Sequence, residues 1–264
     1  MSTSSDPNAI RTLLANASAA GTISAATSQA LGGNLGAVVI AGAAGLAMED
    51  IEATDVTLVT VLIDASSSIH SRGLEQAVRD GQNLLVDAFA KAKEKDSVLL
   101  ALWTFNDDVR VHHAYVPIDT CVRLDGASYA GVGATRLYDT WCDALAANVA
   151  YAQRLRDSGT PCKSIVVVVT DGEDCGSRRS ARECAKLSRE LLATEQFVLA
   201  FVGVGGDVDF KKVAKSMGVP DGCVAVHTDT TPGSLRQLFH MVSQSAIRAS
   251  RANVTPGTGG FFGP

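Results

Sequence analysis

Two stretches of this chain, "LIDASSS" at 62–68 and "VVVVTDGED" at 166–174, run an apolar segment directly into an acid, Asp64 and Asp171. After the first acid, Ser66 and Ser68 alternate with small residues, and a third stretch, "GVGATRLYD" at 131–139, adds Thr135. The donors on offer are two carboxylates and three hydroxyls, with no imidazole or thiolate close in sequence except His70. Oxygen-only ligation selects hard cations, Mg²⁺, Mn²⁺ or Ca²⁺, over zinc or copper. Neutral hydroxyls leave the charge of such an ion only partly compensated, and magnesium tends to keep water, so an acidic group from outside can complete the shell. A lone DxSxS also has a plainer reading, a strand-to-helix turn in which Ser66 or Ser68 caps the helix.

The pattern of the chain supplies the elements that must bring these groups together. "VTLVTVLID" (56–64), "SVLLALWTF" (97–105), "SIVVVV" (164–169) and "QFVLAFVGV" (196–204) are apolar and rich in β-branched residues, as strands buried on both faces are. "DVRVHHAYVP" (108–117) follows the second of them after a turn at Asn106–Asp108, which predicts a hairpin and an antiparallel edge strand that tolerates Pro117. "CVAVHT" (223–228) is a short last strand. Between them, three- and four-residue spacing of apolar residues predicts helices, including Leu74 to Phe89, Leu137 to Val149, Ala181 to Leu192 and Gly233 to about Arg248. The alternation specifies an α/β fold: a Rossmann-like, doubly wound, mainly parallel six-stranded sheet with one antiparallel edge strand and helices on both faces. In such a sheet the binding crevice lies at the carboxyl ends of the strands where their order reverses, between the first and fourth strands of this chain. Asp64 and Asp171 end those two strands, and Thr135 precedes the helix that starts at the same end.

With the three motifs placed, "DASSS" resembles the DxSxS signature of the von Willebrand factor A family. "GVGATRLYD" is similar to the family's threonine loop and "VVVVTDGED" to its third motif. The likeness covers about 51–248. It implies a metal-ion-dependent adhesion site in which Ser66, Ser68 and Thr135 are direct ligands and Asp64 and Asp171 act mainly through bound water. It further implies a non-enzymatic adaptor that binds a protein partner presenting Asp or Glu, with Mg²⁺ as the cofactor and Mn²⁺ or Ca²⁺ as alternatives. "FVGVGGDVDFKKVAKSMGVP" (201–220) and "MVSQSAIRAS" (241–250) look like bacterial cytoplasmic members. Some of those relatives deliver clients to an AAA+ ATPase, which makes that role an alternative reading. A magnesium-dependent phosphohydrolase is a second alternative, because acids at strand ends also suit phosphoryl transfer. Against it, Ser66 stands where one phosphatase class has its second aspartate, and no lysine lies in the motifs.

The chain has 264 residues, 46% hydrophobic and 19% charged, and its 23 basic against 28 acidic residues give a net charge of −5, so nothing resembles a nucleic-acid footprint. No signal peptide is legible, and "LGAVVIAGAAGLAM" (35–48) is too short and glycine-rich to span a membrane, so a cytoplasmic location is expected. The six cysteines show no CxxC or cysteine-histidine clustering and read as reduced thiols. His70 has no triad or HExxH context, and Gly203, Gly205 and Gly206 lack the third glycine of a dinucleotide loop. Asp139, Glu173 and Asp174 lie close in sequence to the candidate ligands and read as solvated surface acids, with orientation of those ligands as the alternative. Residues 1–50 form a separate Ala/Ser/Gly-rich segment with one weak helix around Ile10, Leu13 and Leu14, partly flexible, and 249–264 read as a flexible tail carrying Phe261 and Phe262. The sequence leaves the oligomeric state open.

Overall fold

The computed structural model describes residues 6–251 and 260–263. The chain opens with three helices, α1 (Pro7–Ala19), α2 (Ala25–Gly33) and α3 (Ala37–Gly42), where the sequence suggests one. Their apolar residues are not a free stripe: Ile10, Leu14, Ala17, Leu31 and Val39 join the same core as the sheet. Burying each of the larger ones contributes roughly 1.5–3 kcal/mol. At Gly42 the absence of a side chain has a steric reason, since a Cβ there would lie 2.0 Å from the Trp103 ring. Polar ties reinforce the docking, with Ser24 Oγ and Thr27 Oγ1 both donating to Glu190 Oε1, at 2.9 and 2.8 Å.

The sheet consists of β1 (Val56–Asp64), β2 (Val98–Phe105), β3 (Val109–Pro117), β4 (Cys162–Thr170), β5 (Phe197–Val204) and β6 (Val224–His227), in the order β3-β2-β1-β4-β5-β6. All neighbouring pairs are parallel except β2 with β3. β1 and β2 are buried along their whole length, which accounts for runs without polar alternation. Pro117 pairs with Leu99 at the end of the edge strand. The helices are α4 (Ser67–Ser71), α5 (Glu75–Ala90), α6 (Leu137–Asp157), α7 (Ala181–Leu192), α8 (Phe210–Ser216) and α9 (Pro232–Arg251). α5 packs with α9 in one layer, while α6 packs with α7, α1 and α3 in the other. Because β1 lies between β2 and β4, its crossovers leave in opposite directions and open the crevice at its carboxyl end.

At the C-terminus the structure differs from a simple tail. α9 continues to Arg251, whose guanidinium pairs with Glu94 at 2.6 and 2.9 Å. Phe261 is only 2% exposed and belongs to the core, and Arg248 Nη2 donates to Gly263 O at 2.7 Å. The residues at 1–5, 252–259 and 264, on which part of the expected flexibility falls, lie outside the described residues. Among the described residues no helix is long and apolar enough to cross a membrane. The 35–48 segment is folded as α3 and the turn after it.

Candidate metal centre

Parallel pairing brings the two acids together. Ile63 is in register with Val169, so Asp64 and Asp171 follow the last rungs of adjacent strands. The Asp64 side chain is 1% exposed, and both its oxygens are engaged: Oδ1 accepts from Ser66 N at 2.8 Å and Oδ2 from Thr170 Oγ1 at 2.5 Å. Its backbone carbonyl accepts from Tyr129 Oη at 2.6 Å. Ser66 Oγ lies 3.0 Å from Ser68 Oγ, which donates to Asp171 Oδ1 at 2.7 Å. A continuous chain of oxygens therefore links both serines to the second acid.

The capping alternative does not describe this turn. Ser66 occupies the N-cap position of α4, yet its side chain makes no capping hydrogen bond. Nor does Thr135 cap α6, which begins two residues later and whose N-cap position is Arg136. Thr135 Oγ1 instead faces the β4 end, 3.5 Å from where a Cβ on Gly172 would sit. The sequence-predicted residues Asp64, Ser66, Ser68, Thr135 and Asp171 all converge on the crevice.

The loop carrying Thr135 is pinned by backbone bonds. Val132 N donates to Ala65 O at 2.8 Å, Ser67 N to Gly133 O at 3.0 Å and Arg136 N to Asn106 O at 3.1 Å. Gly133 has φ +79°, a conformation that favours glycine, and a Cβ there would also have to displace the Asp107 carboxylate. On the other side, Thr135 N donates to Cys175 Sγ at 3.2 Å and Thr135 O accepts from Cys175 N at 2.9 Å.

Asp139 and Asp174 are not the solvated acids their sequence context suggests. Asp139 is 7% exposed; it accepts from the backbone N–H groups of Arg179 and Arg178 at 3.0 and 3.1 Å and from Arg136 Nη2 at 2.6 Å. Burial alone would raise its pKa, but these donors outweigh burial and hold it below the usual range. Asp174 accepts from Tyr138 N at 3.1 Å and Ser177 Oγ at 2.5 Å. Together they lash the loop after β4 to the start of α6. Glu173 is exposed, as expected of a solvated acid.

The electrostatics fit a cation. Burial raises Asp64 to about 6, opposed by the Thr170 and Ser66 hydrogen bonds and assisted by the charge of Asp171. Burial likewise raises Asp171, opposed by Ser68 and Arg72. Asp171 Oδ2 is buried and makes no hydrogen bond among the described residues, with the Arg72 guanidinium 3.7 Å away. A carboxylate oxygen out of water without a donor is costly, and a cation in the crevice would offset that cost. Among the described residues no group of three or more His, Cys, Asp or Glu is placed to hold an ion, so a metal here depends on the hydroxyl donors.

Arg72, Thr170 and Tyr129 are site residues that the sequence reading missed. Thr170 had a visible signal, as the one hydroxyl at the end of a valine run. Arg72 had none, because its partners lie just after β4 and on the loop after β5.

The von Willebrand factor type A domain model matches residues 59–240. No curated protein sequence matches significantly. Among solved structures, proximal thread matrix protein 1 from the mussel byssus is 21% identical with a TM-score of 0.51, covering 73% of this chain and 46% of that one. A von Willebrand factor type A protein from Catenulispora acidiphila is 17% identical with a TM-score of 0.50, over 73% and 43% of the two chains. The pilus adhesin SpaC from Lactobacillus rhamnosus GG, in its open conformation, is 12% identical with a TM-score of 0.53, over 74% and 30%. These likenesses concern the fold, and this chain spans less than half the length of each neighbour. The family match over most of the chain, together with the sheet order and the three motifs at its crevice, establishes that this protein belongs to the von Willebrand factor type A domain family.

Proposed function

We propose that this chain is a non-enzymatic adaptor that binds a protein partner through a divalent cation, Mg²⁺ in the first instance, held in the crevice between β1 and β4. Ser66, Ser68 and Thr135 would be its direct ligands, with Asp64 and Asp171 holding bound water. The observation that carries this reading is the chain of oxygens from Ser66 through Ser68 to Asp171, ending at a buried carboxylate oxygen without a donor. When bound, the ion supplies an open coordination position that an Asp or Glu of the partner can fill. The residues of this chain do the rest: Thr170 and Ser66 N fix Asp64, Ser68 orients Asp171, and Asp139 with Asp174 steadies the loop that flanks Thr135.

The phosphohydrolase reading has less support. Asp64 would be its natural nucleophile, but the side chain is buried and both oxygens already accept hydrogen bonds. The likeness of 201–220 and 241–250 to bacterial cytoplasmic members extends the proposal to a cytoplasmic adaptor, with delivery of clients to an AAA+ ATPase as one form of that role. The test pairs Mg²⁺ calorimetry with affinity capture by wild type, Asp171→Ala and Thr135→Val, each with Mg²⁺ and with chelator. Ion binding by wild type only, with one partner captured only in Mg²⁺, supports the proposal. Equal capture in all conditions would refute it.

A further inference from the structure

Arg72 stands at the C-cap of α4, four residues after Ser68, and its backbone N–H donates to Ser68 O at 3.1 Å. Its side chain, 28% exposed, reaches into the gap between the ends of β4 and β5. There the guanidinium is divided between two acids. Nη2 hydrogen-bonds Asp207 Oδ2 at 2.9 Å, whereas Nη1 stops 3.7 Å from Asp171 Oδ2, close enough for attraction and too far for a hydrogen bond. The acids are opposites: the Asp171 side chain is fully buried, and that of Asp207 is 82% exposed, on the loop between β5 and α8.

Desolvation makes Asp171 the acid with more to gain from a counter-charge, yet the exposed acid holds the better bond. The loop geometry makes room for this division. Gly205 has φ +112°, a Cβ on it would lie 2.6 Å from Arg72 Nη1, and its N–H is fixed to His227 O at 2.8 Å. The guanidinium thus lies against a bare backbone that presents Asp207.

We propose that Arg72 is a built-in competitor of the divalent cation: a positioning residue whose guanidinium balances Asp171 when the ion is absent, and which Asp207 must hold aside when the ion enters. The inference rests on the metal reading above and deepens it. A dication beside Asp171 repels the guanidinium, so the arginine weakens ion binding and Asp207 limits that weakening. A partner that engages Asp207 with a basic group would release Arg72 toward Asp171 and loosen the ion.

The test is a double-mutant cycle on the full chain with Arg72→Met, which keeps an unbranched stem and removes the guanidinium charge, and Asp207→Asn. Mg²⁺ and Mn²⁺ affinities are measured by calorimetry at fixed pH and ionic strength. Arg72→Met tightens binding by roughly tenfold, equivalent to about 1.4 kcal/mol. Asp207→Asn weakens it several-fold, and that weakening disappears in the double variant. In chelator, Arg72→Met lowers the melting temperature because Asp171 loses the guanidinium 3.7 Å from its Oδ2, and saturating Mg²⁺ reverses the deficit. Unchanged or weaker ion binding by Arg72→Met, or an Asp207→Asn effect that persists without the arginine, overturns the inference while leaving the metal site intact. Absence of ion binding in every variant, wild type included, overturns both.

Discussion

The ends of β1 and β4 each bring an aspartate to one crevice, Asp171 one residue beyond the level of Asp64, and the fold treats them differently. Asp64 is enclosed: both carboxylate oxygens and the backbone carbonyl accept hydrogen bonds from the protein. Asp171 is half-finished, with Oδ1 served by Ser68 and Oδ2 left to a guanidinium at 3.7 Å. One acid therefore fixes the turn, and the other waits for a charge. The difference follows from what comes next in the chain. After Asp64 the backbone turns at once into α4 and offers Ser66 N, while after Asp171 it passes through Gly172 into a loop held by Asp139 and Asp174 instead.

The largest expected effect separates ion binding from stability. Asp171→Ala removes measurable Mg²⁺ binding, a loss of roughly a thousandfold or about 4 kcal/mol. In chelator the same variant costs no more than about 1 kcal/mol, because the lost Ser68 hydrogen bond and the 3.7 Å attraction to Arg72 are offset by removal of a buried carboxylate. Calorimetry and chemical denaturation on one preparation check both halves. A variant that unfolds in chelator would show that the β4 end is as structural as the β1 end.

Next comes the pH dependence of Asp64. Its folded-state pKa, about 6, lies above the ordinary 3.8, so the folded protein holds this proton more tightly than the unfolded chain. The resulting stabilisation is complete below about pH 4, shrinks as pH rises and is gone above about pH 6; it is on the order of 3 kcal/mol. Asp64→Asn keeps an acceptor for Ser66 N without the charge. The difference in chelator between wild type and variant therefore moves in the variant's favour as pH rises from 4 to 7. Parallel curves would mean that Asp64 titrates as an ordinary acid. Mg²⁺ should shrink the wild-type penalty at pH 7.

A smaller, crossed pattern sharpens the contrast further. Thr170→Val removes the donor to Asp64 Oδ2 and the acceptor of Gly172 N, so it costs about 1–2 kcal/mol of metal-free stability. Thr170 is not a proposed ligand, and ion affinity should fall less than about tenfold. Ser68→Ala reverses the order, with a stability cost below about 1 kcal/mol and an ion affinity that falls by roughly a hundredfold. Equal behaviour of the two variants would erase the distinction between the clasp at β1 and the opening at β4.

How much of this was legible depended on how local each interaction is. The strands were readable because burial on both faces leaves long β-branched runs, and the crevice followed from the reversal of strand order. The five oxygen-bearing residues were readable because three motifs mark them. The split of Arg72 between Asp171 and Asp207 was not, since Asp207 is 135 residues away and meets Arg72 only through the β4–β5 pairing. Asp139 misled for a related reason: it sits on the first turn of a helix, where acids commonly face water, and only the returning loop at 178–179 encloses it. The N-terminal helices were understated because their residues are small and leave little apolar periodicity to read, and at Gly42 the lack of a side chain is what close approach to Trp103 requires.

The smallest expected effect falls on the middle serine. Ser67 lies between two proposed ligands, but its side chain is exposed, and its contribution to the turn is a backbone N–H donating to Gly133 O. Alanine keeps that bond and is favoured in a helix, where this position is the first residue of α4. Ser67→Ala should therefore leave stability within about 0.5 kcal/mol and Mg²⁺ affinity within about twofold. This null carries weight because all three serines share one composition and one turn. If hydroxyl density alone attracted the ion, removing any one of them would cost about the same. If the alternation sets the site, Ser66→Ala and Ser68→Ala weaken binding strongly and Ser67→Ala does not. Calorimetry on the three single variants decides between these, and a tenfold or greater loss for Ser67→Ala would show that the turn, rather than its two inward hydroxyls, binds the ion.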